Sequence, residues 1–181
     1  MDERQKMIEA LKSNVIPQLR TNGFKGTFPH FKRSFTDRVE LLVFQWNKYG
    51  GSFTVEISVI FPSGNDPNYY KISDNETIDK INVYSTSKRY RLDGYFDGWF
   101  YYTDVYRSII KSNLFKKIYH YQSATEKQKK RFEFDDSWEL VQKADDHIYN
   151  TVTDIVNQQL KSAYTWWSKY DTSDKLKGYK K

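Results

Sequence analysis

The chain contains no cysteine, which excludes disulfides, thiolate zinc sites and a cysteine nucleophile. Histidine is nearly as scarce. His30, His120 and His147 stand far apart, without the HxxxH or HxxE spacing that places two ligands on one metal. Asp145-Asp146-His147 gathers ligand types, but two acids at the start of a helix are expected for capping and for the helix dipole. No metal and no cofactor are therefore expected. The glycines form neither a dinucleotide fingerprint nor a P-loop: Gly94 and Gly98 stand alone, with no GxGxxG and no GK[ST]. There is no GxSxG, and Ser63-Gly64 reads as an ordinary turn. No apolar run reaches the roughly 18 residues of a membrane span. The opening MDERQKMIEALK is charged and helical, unlike a signal peptide, so a cytoplasmic protein is the simplest expectation.

Rings and mixed charge are what the chain has in quantity. Fifteen Tyr, twelve Phe and five Trp in 181 residues predict a core built from aromatic side chains. The abundance of Lys, Asn, Ile, Tyr and Phe, all AT-rich codons, suits a low-GC bacterium. The formal net charge is +6, of which the four Lys and two Asp of residues 171–181 supply +2. The rest is mildly basic, which favours an acidic partner without implying nucleic acid.

Arg38 to Phe61 reads as one β-hairpin. Leu42, Phe44 and Trp46 share one face of the first strand, and Phe53, Val55, Ile57, Val59 and Phe61 share one face of the second. A two-residue turn at Gly50-Gly51 predicts Trp46 opposite Val55, Phe44 opposite Ile57 and Leu42 opposite Val59. That apolar face needs a cover. Residues 3–20 form an amphipathic helix through Met7, Ile8, Leu11, Val15 and Leu19, loosened by Pro17 and ended by Asn22-Gly23. Residues 27–35 read as a short strand whose Pro29 argues for a sheet edge.

Pro62 to Tyr70 reads as a loop, and Ser73 to Glu76 as a capping box opening a short helix through Ile81. Val83 to Leu92 reads as a strand, and Asp104 to Ile118 as a helix with Tyr106, Ile110, Leu114 and Ile118 in line. Residues 118–134 fit either two strands or a lysine-rich helix after Ser123. A helix from about Lys143 to Ala163 places Ile148, Val152, Ile155, Gln159 and Ala163 on one face, and an aromatic turn, Tyr164 to Tyr170, follows it. The expected fold class is α+β: an antiparallel sheet with N-terminal and C-terminal helices packed on one face. Residues 1–170 are expected to form a single domain and residues 171–181 a disordered basic tail.

The candidate site lies on the face of the hairpin away from its rings. Arg89 and Arg91, two apart in a strand, point to one side. Gln45 and Glu56 are expected cross-strand neighbours on the polar face. If the Arg strand joins that sheet, Gln45, Glu56, Arg89 and Arg91 form a polar patch for an anionic ligand or a partner's carboxylate. The plainer alternative is a structural Arg–Glu network.

The same segments resemble a family of uncharacterised bacterial domains, domain of unknown function number forty-three hundred and four. The resemblance rests on the helix ending in Gly23-Phe24, the hairpin LLVFQWNKYGGSFTVEISVIF, the strand Arg89-Tyr90-Arg91-Leu92, and a Trp138 segment leading to a closing helix with Trp166-Trp167. Tyr95 to Asp136 departs from it. The resemblance implies an α+β fold in a bacterial cytoplasm, brings no activity, and marks Gln45, Arg89 and Arg91 as candidate positions.

With no catalytic constellation, the expected role is binding a protein partner, as an interaction or accessory protein of which a toxin-neutralising immunity protein is one example. No membrane association is expected. Two rivals remain: nucleic-acid binding through the Lys127 to Arg131 run and nearby rings, and an enzyme with a polar pocket near Arg89 and Arg91.

Overall fold

An aromatic-faced hairpin organises the larger of two antiparallel sheets. The computed structural model describes residues 2–61, 80–86, 89–94, 98–109 and 118–170. The expected loop at Pro62 to Tyr70, the capping box at Ser73 and the basic tail lie outside the described residues.

Helix α1 (Glu3–Asn14) is capped by Asp2, whose carboxylate accepts from Gln5 N at 2.7 Å. The single helix expected over residues 3–20 is broken at Val15, and α2 (Ile16–Thr21) restarts with Pro17 in its first turn. Proline is tolerated there because its missing N–H has no helical acceptor, whereas inside a helix it clashes with the preceding turn. Gly23 closes the unit at φ +86°.

Strands β1 (His30–Ser34), β2 (Val39–Trp46), β3 (Ser52–Ile60) and β4 (Arg89–Arg91) run in spatial order, and β5 (Phe100–Tyr101) also pairs with β3. The hairpin register differs from the expected one by two residues. Trp46 faces Phe53, Phe44 faces Val55 and Leu42 faces Ile57. The cause is the loop. Asn47 N donates to Ser52 O at 3.0 Å, so the ladder runs one pair further and Lys48 to Gly51 form the connection. A shift of two preserves the pleat, and the apolar faces still coincide.

Those faces meet α1 and α4 (Ile148–Ser168), which pack on the same side of the sheet. The expected stripe on the closing helix drifts: Ile148, Val152, Val156, Leu160, Ala163 and Trp167 are buried, while Ile155 and Gln159 are only half-buried. Tyr164 to Ser168 continue the helix instead of forming a separate turn. The core is a run of rings, with Phe44 to Phe53 at 6.1 Å and Phe53 stacked on Phe100 at 5.3 Å. Each such pair adds about 0.5–1.5 kcal/mol beyond its buried area. Trp167, fully buried, donates Nε1–H to Ser58 O at 2.9 Å and ties the closing helix to β3.

The second sheet, in order β7-β6-β8, comes from β6 (Val105–Ser108), β7 (Ile118–His120) and β8 (Trp138–Gln142). It corrects two expectations. The helix expected from Asp104 is a strand over its first described residues, and the strand expected over Val83 to Leu92 is a 3₁₀ turn at Val83–Ser85 followed by the short β4. The ambiguous segment 118–134 holds one of each: β7, then helix α3 (Glu126–Phe134), opened by a Thr125–Gln128 capping box. Phe132 of α3 stacks on Tyr106 at 4.7 Å and meets Trp138 at 5.0 Å. His120 joins the sheets, its Nε2 lying 3.3 Å from Ser52 Oγ and 3.4 Å from Asn47 Nδ2.

Candidate functional site

Alternation along β3 turns Phe53, Val55, Ile57 and Val59 to the helices and Ser52, Thr54, Glu56 and Ser58 to the opposite face. β4 adds Arg89 opposite Ser58 and Arg91 opposite Glu56. The conditional juxtaposition of Glu56 with both arginines is therefore met. Arg91 donates to Glu56 Oε1 through Nη2 at 2.7 Å and Nε at 3.2 Å, and Arg89 Nη1 lies 3.6 Å from Oε2. The Glu56 side chain is 7% exposed, whereas those of Arg89 and Arg91 are 46% and 42% exposed. A carboxylate held in the sheet thus fixes two guanidinium groups that reach into solvent. One negative charge faces two positive ones.

Gln45 is placed differently. It is exposed and shares the polar face, but it stands opposite Thr54, and Val43 takes the place across from Glu56. The two-residue register shift moves it one diagonal step from the carboxylate.

The surroundings hold the arginines in place. The Arg91 guanidinium lies over Trp99 at 5.6 Å. Gly98 makes room for it: at φ +77°, a Cβ there would come within 2.5 Å of Arg91 Cδ. Tyr84 is a neighbour that sequence reading did not single out. Burial chiefly, and then the Glu56 charge, raise its hydroxyl pKa, while Arg89 lowers it. Thr54 Oγ1 and Ser58 Oγ flank Glu56, fully buried and without a hydrogen-bond partner among the described residues. Buried hydroxyls left in that state oppose folding by about 1–3 kcal/mol each.

A second arginine–glutamate cluster was not legible in the sequence. Glu40, fully buried at the end of the helix-facing side, accepts from Arg33 Nε at 2.8 Å and Arg38 Nε at 3.1 Å. Arg33 also lies over Phe24 at 4.9 Å and Tyr164 at 5.3 Å. Enclosed by rings, this cluster locks β1, β2 and α4 together.

The other candidates fall elsewhere. Lys127 to Arg131 lie on α3, where Phe132 and Tyr106 pack against each other and Phe134 is exposed. His30 is exposed, His120 is buried between the sheets, and His147 precedes the first turn of α4. Among the described residues no group of His, Asp or Glu is arranged to hold a metal ion. None of their helices is long and apolar enough to cross a membrane.

No curated protein and no solved structure matches the chain. The family model described as domain of unknown function (DUF4304) matches residues 15–170, which span the hairpin, both arginines of β4 and the closing helix. By that match, over most of its length, the chain belongs to the DUF4304 family.

Proposed function

We propose that this protein is a non-catalytic binding domain acting in a bacterial cytoplasm, and that Gln45, Glu56, Arg89 and Arg91 carry its contact with a protein partner. The observation behind this reading is the unequal exposure within the cluster. Glu56 is buried, and the two arginines that it anchors are nearly half exposed, with charge to spare. Arginines held in this way lose little conformational freedom on meeting a carboxylate, and arginine is among the residues that most often anchor interfaces. A toxin-neutralising immunity protein is one instance of this class.

The test is affinity capture from the native host with the wild-type chain and with an Arg89→Ala/Arg91→Ala variant as paired baits. A stoichiometric protein recovered by the first and lost by the second is the expected result. Equal recovery by both removes this site, and no stoichiometric partner for the wild type removes the binding reading.

A second reading, nucleic-acid binding, is favoured by the exposed Lys127, Lys130 and Arg131 on α3. It predicts affinity that falls steeply as salt rises. A gel shift at low salt that shows no complex eliminates it.

A further inference from the structure

Among the described residues, β4 is an edge strand: it pairs with β3 on one side and with nothing on the other. Its ladder decides which main-chain groups face outward. Leu92 N donates to Val55 O at 2.9 Å, so the hydrogen-bonded pairs of this antiparallel ladder are Leu92 with Val55 and, two residues back, Tyr90 with Ile57. The N–H and C=O groups of Arg89 and Arg91 therefore point away from the sheet. Their side chains rise on the Glu56 face, and Tyr90 turns to the other face.

On that other face Tyr90 stacks on Trp166 at 6.1 Å with an interplanar angle of 15°. The two rings border a cleft of ≈ 360 Å³ completed by Lys161, Ser162, Thr165 and Lys169. Among the described residues, Arg89, Arg91, Lys161 and Lys169 thus border this edge, against Glu56 and Asp93, a surplus of two positive charges.

We infer that the outward edge of β4, unpaired among the described residues, accepts an extended acidic segment of a partner protein as an added antiparallel strand. The inference rests on the partner-binding reading above and supplies the partner's chemistry. Main-chain groups of the segment pair with those of Arg89 and Arg91. Acidic side chains opposite these two residues meet the guanidinium groups, and the side chain opposite Tyr90 enters the Tyr90–Trp166 cleft. The recognised pattern is acid, apolar, acid. A second copy of this chain fits poorly, because antiparallel self-pairing about Tyr90 sets Arg89 against Arg91. A nucleic-acid strand meets the charge but has no main-chain ladder for the outward N–H and C=O groups.

The test uses the full chain and a short fluorescein-labelled peptide alternating glutamate with phenylalanine, followed by anisotropy. Three controls accompany it: the same peptide with N-methylated glutamate amides, one with lysine for glutamate, and a single-stranded oligonucleotide of equal charge. Binding of the acidic peptide is expected, weakened about tenfold or more by N-methylation, which removes the strand hydrogen bonds. Amide exchange at Arg89 and Arg91 slows when the peptide is bound. Lys161→Glu/Lys169→Glu, on an exposed helix face outside the Glu56 cluster, weakens binding without altering the fold.

Affinity unchanged by N-methylation, or unprotected amides at Arg89 and Arg91, overturns the edge assignment while leaving an arginine-dependent capture intact. Equal binding of the lysine peptide, or no binding of the acidic one, overturns the acidic segment. Tighter, Arg89- and Arg91-dependent binding of the oligonucleotide overturns the partner class.

Discussion

Removing Arg91 is predicted to cost more stability than neutralising the carboxylate that it pairs with. Arg91→Ala deletes two hydrogen bonds to Glu56, at 2.7 and 3.2 Å, and leaves a carboxylate that is 7% exposed with Arg89, at 3.6 Å, as its remaining counter-charge among the described residues. Stranding one member of a fully buried pair costs about 3–5 kcal/mol. Arg91 is nearly half in water, which screens the interaction, and we discount the figure to about 2 kcal/mol. Glu56→Gln keeps the shape and an acceptor oxygen. It exchanges charge-assisted bonds for neutral ones and returns two solvated arginines to water, a loss of about 1 kcal/mol. The double variant strands nothing, so it should be more stable than the sum of the single losses implies, by about 1 kcal/mol. Urea denaturation at neutral pH, followed by tryptophan fluorescence and far-UV circular dichroism, measures all four chains. Glu56→Gln as damaging as Arg91→Ala, or strict additivity, would falsify the view that buried Glu56 is the dependent partner.

Three further outcomes test the surrounding structure. Gly51→Ala should destabilise by about 1–3 kcal/mol in the same denaturation assay, since Gly51 has φ +73° and a Cβ there would lie 2.5 Å from His120 Nδ1; an unchanged midpoint refutes the close approach of the two sheets. Thr54→Val should stabilise by about 1 kcal/mol, because it replaces an unpartnered buried hydroxyl with a methyl group of similar size; a lower melting temperature shows that the hydroxyl makes a bond in solution. Burial pushes the Tyr102 hydroxyl from 10.0 up to about 12, so the unfolded chain releases that proton first. Stability is then fully present below pH 10 and falls by roughly 2 kcal/mol as pH rises to 12. In Tyr102→Phe that part of the alkaline loss should vanish, and an identical pH profile counts against it.

Periodicity served best where one face of an element is buried. Phe44 and Ile57 were assignable to the same side of the sheet because alternation is a property of the strand itself. Their pairing was not, since it depends on whether Asn47 and Ser52 extend the ladder, and a loop of two or four residues satisfies the same pattern. Tyr106, Ile110, Leu114 and Ile118 are spaced for a helix, yet Val105 to Ser108 form a strand because β7 and β8 pair on either side of them, a tertiary preference that overrides spacing. The Thr125–Gln128 capping box that fixes the start of α3 is a local signal that the open choice between strands and helix over residues 118–134 left unused.

Composition and alternation alone determined an α+β chain with a ring-built core, an aromatic-faced hairpin and Arg89 and Arg91 on one side of a strand. These follow from local geometry, which the backbone repeats at every residue. The neighbourhood of Glu56 was decided by strand order, which placed β4 beside β3. The outward turn of the Arg89 and Arg91 main-chain groups and the cleft between Tyr90 and Trp166 arose in the same way. Such contacts join residues far apart in the chain. Their free energy comes from the packing of whole elements, and no local pattern encodes it.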